Sequence, residues 1–142
     1  MGFTTPCFIR EDTEYLREKL KKLGYTPFDD DKRDGLVADK SGYMYSILEN
    51  NLISSTYNCG VNENLFLAIA ALRDDTNENQ WFICEVNHWD RSDNGEATVY
   101  AEIGEWIFCK SNDDDCARDN HYHKATVEEL IEHFKEKEVN HG

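Results

Sequence analysis

The sequence predicts an α+β domain, and three observations carry that prediction. Short runs of strong strand formers recur along the chain. Three segments have helical periodicity, each opened by a capping residue. The strand runs are grouped between single helices instead of alternating with them, which favours an antiparallel or mixed sheet over a doubly wound one. The expected order is β-α-β-β-β-α-β-β-β-α, with about six or seven strands and three helices. At 142 residues the chain fits one domain, residues 1–142, whose core needs no disulfide or metal to hold it.

The elements follow in order. Phe3 to Arg10 reads as a short strand near a sheet edge, because Pro6 cannot donate to a ladder. Thr13 is placed to cap a first helix, whose Leu16, Leu20 and Leu23 fall on one stripe and whose end is marked by Gly24. Residues 26–34 form a polar loop. Leu36–Asp39 and Tyr43–Leu48 form a hairpin around Lys40-Ser41-Gly42, and Ile53–Asn58 supplies a third strand. Asn62 caps the most apolar helix, Glu63–Arg73, with Leu65, Phe66, Ala68, Ile69 and Leu72 forming a wide buried face. Gln80–Val86, Ala97–Ile103 and Trp106–Cys109 are expected to make an antiparallel meander, with polar loops at 87–96 and 110–124. Thr126 and Glu129 form a capping box for the last helix.

The net charge is −14, and its distribution is uneven. Residues 1–40 hold 8 Lys/Arg and 9 Asp/Glu, whereas residues 41–142 hold 7 and 20. A field of that sign repels nucleic acid and anionic membranes and attracts basic protein surfaces. The partner expected from charge is therefore a basic protein, with no direct nucleic-acid or membrane contact. No stretch approaches the ~18 apolar residues of a membrane span. Met1 to Pro6 lacks the basic and apolar regions of a signal peptide, and the five cysteines are an odd number. Free thiols and a cytoplasmic location are the expectation.

Few residue patterns carry chemistry. Cys109, Cys116, His121 and His123 lie within fifteen residues and are the best metal candidates, but the spacing between the two cysteines is too long for a zinc knuckle. Asp90, Ser92, Asn94 and Gly95 imitate the first half of a calcium loop, but Ala101 stands where the closing Glu belongs. A hairpin turn explains that stretch better. Cys84 and His88 are the nearest nucleophile–base pair, and a core Cys with a loop His accounts for them better. There is no phosphate-binding glycine loop, G-x-S-x-G, H-E-x-x-H or C-x-x-C. No cofactor and no catalytic residue is assigned. The candidate binding surface comprises the carboxylates Asp74, Asp75, Asp90, Asp93, Glu96, Asp113, Asp114 and Asp115 and the aromatics Tyr43, Tyr45 and Trp89. By strand period two, Tyr43 and Tyr45 share one face.

Four segments resemble a known group of sequences. They are TPCFIR (Thr5–Arg10), KLGY (Lys22–Tyr25), CGVNENLFLAIAALRDD (Cys59–Asp75) with Gln80-Trp81-Phe82 after it, and HKATVEELIEHF (His123–Phe134). Together they resemble short proteins of phages and prophage-like elements of gut bacteria that have no assigned function. The resemblance implies a shared fold and a mobile-element setting and gives no residue a role. In that setting the expected function is non-catalytic binding, as an inhibitor of a host defence or nucleic-acid-handling complex through an acidic surface. The first alternative is a small-molecule binder with a pocket lined by Trp81, Trp89, Trp106 and Tyr43. The second is a small metal- or cysteine-dependent enzyme.

Overall fold

The structure, a computed structural model, describes residues 2–29, 31–91, 98–112 and 121–139. The chain forms two compact units: residues 1–75 with 126–142, and residues 76–125. The first holds β1 (Cys7–Ile9), α1 (Glu14–Leu23), β2 (Thr26–Pro27), β3 (Gly35–Ala38), β4 (Tyr43–Ile47), β5 (Tyr57–Asn58), α2 (Glu63–Ala70) and α3 (Val127–Val139). The second holds β6 (Gln80–Cys84), β7 (His88–Arg91), β8 (Thr98–Ala101), β9 (Trp106–Cys109) and β10 (Tyr122–Lys124). The α+β class holds, with three helices among the described residues and mixed or antiparallel sheets.

In the first unit the strands lie in the order β2-β4-β3-β1-β5. Pairing places Cys7 opposite Ala38 and Ile9 opposite Leu36, and places Leu36 and Ala38 opposite Ser46 and Met44. These residues share one face of the sheet, and that face meets the helices. The Cys7 thiol donates to the Phe66 carbonyl of α2 at 3.6 Å. Phe8, Val37, Tyr43, Tyr45 and Ile47 occupy the other face, where the Phe8 ring fills the space over Gly35 and leaves no room for a β-carbon there.

The helices begin and end where local chemistry dictates. Thr13 Oγ1 accepts the Leu16 amide at 3.2 Å, and Gly24 closes α1 in the left-handed region at φ 110°. Leu16 and Leu20 are fully buried, each contributing about 1.5–3 kcal/mol. Asn62 Oδ1 accepts the Leu65 amide of α2 at 3.1 Å. At α3 the Thr126 hydroxyl accepts the Glu129 amide while the Glu129 carboxylate accepts the Thr126 amide, so the capping box is complete. One buried polar group joins α1 to the sheet. Arg17 forks onto Asp12 at 2.7 and 2.9 Å, and both bond the Ser46 hydroxyl on β4.

The second unit corrects the expected meander. β6 is central, flanked by β9 and β10, and among the described residues β8 pairs with β7 alone. With a neighbour on each side, β6 has no free edge for β8. The chain leaves β6 at Cys84, and the Asn87 side chain accepts the Ile103 amide at 2.8 Å across the bend. The hairpin therefore starts at His88, inside the stretch read as a loop. β2 and β10 likewise arise in stretches read as polar loops, which raises the strand count above the expected six or seven. Ile53–Asn58 narrows to the two residues of β5. Phe82, Cys84, Ala101, Cys109 and Tyr122 form the core of this unit, with Ile107 packed against it.

Candidate functional site

The best-formed surface feature lies on β4, on the sheet face opposite the helices. Tyr43 and Tyr45 share that face, as period two requires. A third ring joins them. The Phe28 amide donates to the Met44 carbonyl at 2.8 Å, extending the β2–β4 pairing by one residue and setting Phe28 beside Tyr45. Its ring centroid is 6.0 Å from each tyrosine ring, with interplanar angles of 85° to Tyr43 and 62° to Tyr45. Phe28 is 72% exposed and Tyr43 44% exposed, while Tyr45 is half-buried. Burial, then the charges of Asp39 and Asp29, push the Tyr45 phenol above its ordinary pKa, so it stays a neutral hydroxyl.

The second unit also displays aromatics. Trp81 and Phe108 are opposite one another on β6 and β9 with centroids 5.2 Å apart, and Trp106 lies 6.2 Å from Trp81. Trp89 and Tyr100 pair across β7 and β8 at 5.1 Å, and Trp89 is 66% exposed.

Three of the candidate carboxylates, Asp74, Asp75 and Asp90, belong to described residues. Asp74 is exposed, and its amide donates to Gly2. Asp75 holds the Arg73 guanidinium in a fork at 2.8 Å, a contact that lowers its carboxyl pKa. Asp90 stands opposite Val99 in the β7–β8 pair. Asp93, Glu96, Asp113, Asp114, Asp115 and Cys116 lie outside the described residues.

The metal candidates have separate surroundings. Cys109 is buried in the core, and its thiol donates to Ser111 O at 3.1 Å. The His121 ring packs on His88 with centroids 4.2 Å apart, while His123 Nδ1 is 2.9 Å from the Glu85 carboxylate. Among the described residues no group of three His, Cys, Asp or Glu is arranged to hold a metal ion. Cys84 and His88 do meet, with Sγ 3.7 Å from Nδ1. Both also lie against the Val86 carbonyl, at 3.1 and 2.5 Å, so the pair fastens the bend after β6. Cys84 is 1% exposed, which closes its sulfur to solvent.

The first unit contains a cleft of about 390 Å³. Arg10, Tyr57, Asn58, Cys59, Asn62 and Lys135 are among its lining residues. It is not the tryptophan-lined pocket anticipated from sequence. Arg10 is engaged with Glu49 at 2.6 Å.

Sequence reasoning missed Phe28. It stands in a run of acidic and basic residues, and the only available signal was a lone large apolar ring directly after Pro27. Comparison of the chain with protein-family models, curated proteins and solved structures finds no match to any of them.

Proposed function

We propose that this chain is a non-catalytic binding protein whose partner is a basic protein surface. The observation that carries the reading is the aromatic group of Phe28, Tyr43 and Tyr45 where β2 meets β4, with Phe28 and Tyr43 exposed, in a chain of net charge −14. Aromatic side chains held on a strand lose little entropy on binding and are enriched in interface cores. The chain's net negative charge favours encounter with a basic partner and disfavours nucleic acid. In the mobile-element setting that the sequence resembles, the partner is a cytoplasmic host complex that handles nucleic acid or serves defence. The chain would inhibit it by occupying its basic channel.

A pull-down from host lysate at low and at high salt tests the reading. The expected result is capture of basic proteins at low salt and their loss at high salt, because screening shortens from about 10 Å at 0.1 M to about 3 Å at 1 M. Capture that salt does not weaken, or capture of no basic protein, overturns it.

A further inference from the structure

We propose that Phe28, Tyr43 and Tyr45, with Asp39 beside them, form a seat for an arginine side chain of a basic protein partner. The inference rests on the reading above and adds the residue chemistry that this surface selects.

An aromatic face is negative at its centre, so a cation placed over it is attracted. Two features of the trio suit that use. The Phe28 ring stands at 85° and 62° to its neighbours, so the rings present differently oriented walls to an entering group. The exposure of Phe28 and Tyr43 leaves ring surface open.

Charge adds a second element. Asp39 sits across the hairpin from Tyr43, its amide donating to the Tyr43 carbonyl at 2.7 Å. Strand alternation puts its side chain on the Tyr43 face, because Ala38 points to the helices. Its Oδ1 accepts the Ser41 amide at 2.9 Å, and a carboxylate can accept further donors. Asp29, next to Phe28, bears on the Tyr45 hydroxyl and also on Arg17, whose guanidinium donates to the Asp29 carbonyl at 3.5 Å. Two nearby cations of the chain are engaged elsewhere. Arg17 forks onto Asp12 on the helix side of the sheet, and Lys32 pairs with Glu14 at 2.8 Å. Rings beside a carboxylate favour arginine over lysine, because the planar guanidinium stacks on an aromatic face while its edge forks onto an oxygen pair.

The test is a titration of the full chain with an arginine-rich peptide, followed by NMR of the aromatic ring signals. Two control peptides replace each arginine by citrulline, which has the same shape without the charge, or by lysine. The arginine peptide is expected to shift the Phe28, Tyr43 and Tyr45 signals and to bind more tightly than both controls. Phe28→Leu keeps an apolar side chain and removes the ring, and should weaken binding about 3- to 30-fold, with Phe28→Trp restoring it. Thermal unfolding of both variants, expected to be unchanged, shows that the fold is intact. Equal binding by the citrulline peptide, wild-type affinity in Phe28→Leu, or shifts confined to Trp89 and Tyr100 overturns the seat. Salt-dependent binding that ignores Phe28→Leu removes the seat and leaves the basic-partner reading standing. Absence of both peptide binding and lysate capture removes both.

Discussion

In residues 1–75 and 126–142 the strands are laid against helices, and most of the largest fully buried side chains are there: Phe8, Ile9, Leu16, Leu20, Leu36, Met44, Phe66, Ile69 and Leu130. Among the described residues of 76–125, the fully buried side chains include Gln80, Cys84 and Cys109. The charge runs the other way. The smaller unit carries 4 Lys/Arg and 11 Asp/Glu in fifty residues, whereas the larger carries 11 and 18 in ninety-two. Apolar burial is the dominant favourable term in folding, and unbalanced charge opposes the compact state. The larger apolar side chains described as fully buried thus lie in the first unit, and the denser negative charge lies in the second.

The largest expected effect tests that contrast directly. Phe66 is fully buried on α2, and Phe66→Ala should cost about 3–5 kcal/mol in urea unfolding, the range for emptying a phenylalanine site in a close-packed core. A loss below about 1 kcal/mol would show that the first unit is not packed as described.

Next comes the buried pair of the first unit. Burial acts against the Asp12 charge, but hydrogen bonds from Arg17 and Ser46 outweigh it and hold the carboxyl below its ordinary value. Asp12→Asn should cost about 3 kcal/mol at neutral pH, because it leaves the Arg17 charge buried without its partner. The sign of the pH dependence follows from the lowered value. The contribution is fully present above the unfolded carboxylate pKa of about 3.9 and is lost as pH falls through the folded one. Stability of the wild type should therefore fall more steeply in that acid window than stability of Asp12→Asn. Parallel acid limbs in urea unfolding would contradict the pairing.

In the second unit the corresponding core change is milder. Cys84→Ala removes a small sulfur from the cluster with Phe82 and Tyr122, together with its bond to Val86 O, and should cost about 1 kcal/mol. A cost matching that of Phe66→Ala would break the comparison, since the two units would then be equally demanding.

These residues also show what a sequence makes legible. The helix ends were readable because capping is local: Thr13 bonds Leu16, Asn62 bonds Leu65 and Thr126 exchanges bonds with Glu129, each three residues apart. The β3–β4 hairpin and the common face of Tyr43 and Tyr45 were readable for the same reason. The partners of β6 were not, because pairing with β10 spans some forty residues and is decided by which edges remain free. Phe28 was hidden because its polar neighbours mask a ring that acquires meaning only beside β4. Arg17 reads as one more basic residue of an amphipathic helix, and its burial depends on Ser46, twenty-nine positions away.

The smallest expected effect concerns the displayed rings of the second unit. Trp89 is 66% exposed and contacts Tyr100 directly across the β7–β8 pair. Cross-strand aromatic pairs contribute about 0.2–1 kcal/mol, and threonine keeps the strand preference of the site. Trp89→Thr should therefore shift stability by about 0.5 kcal/mol or less, read as a small change in the urea midpoint at constant slope. A change in slope would mean that more than one contact was lost. If the basic partner engages β4 alone, the same variant retains lysate capture at wild-type strength and salt sensitivity. Loss of capture with stability unchanged would move the binding surface to the second unit, where the negative charge is denser.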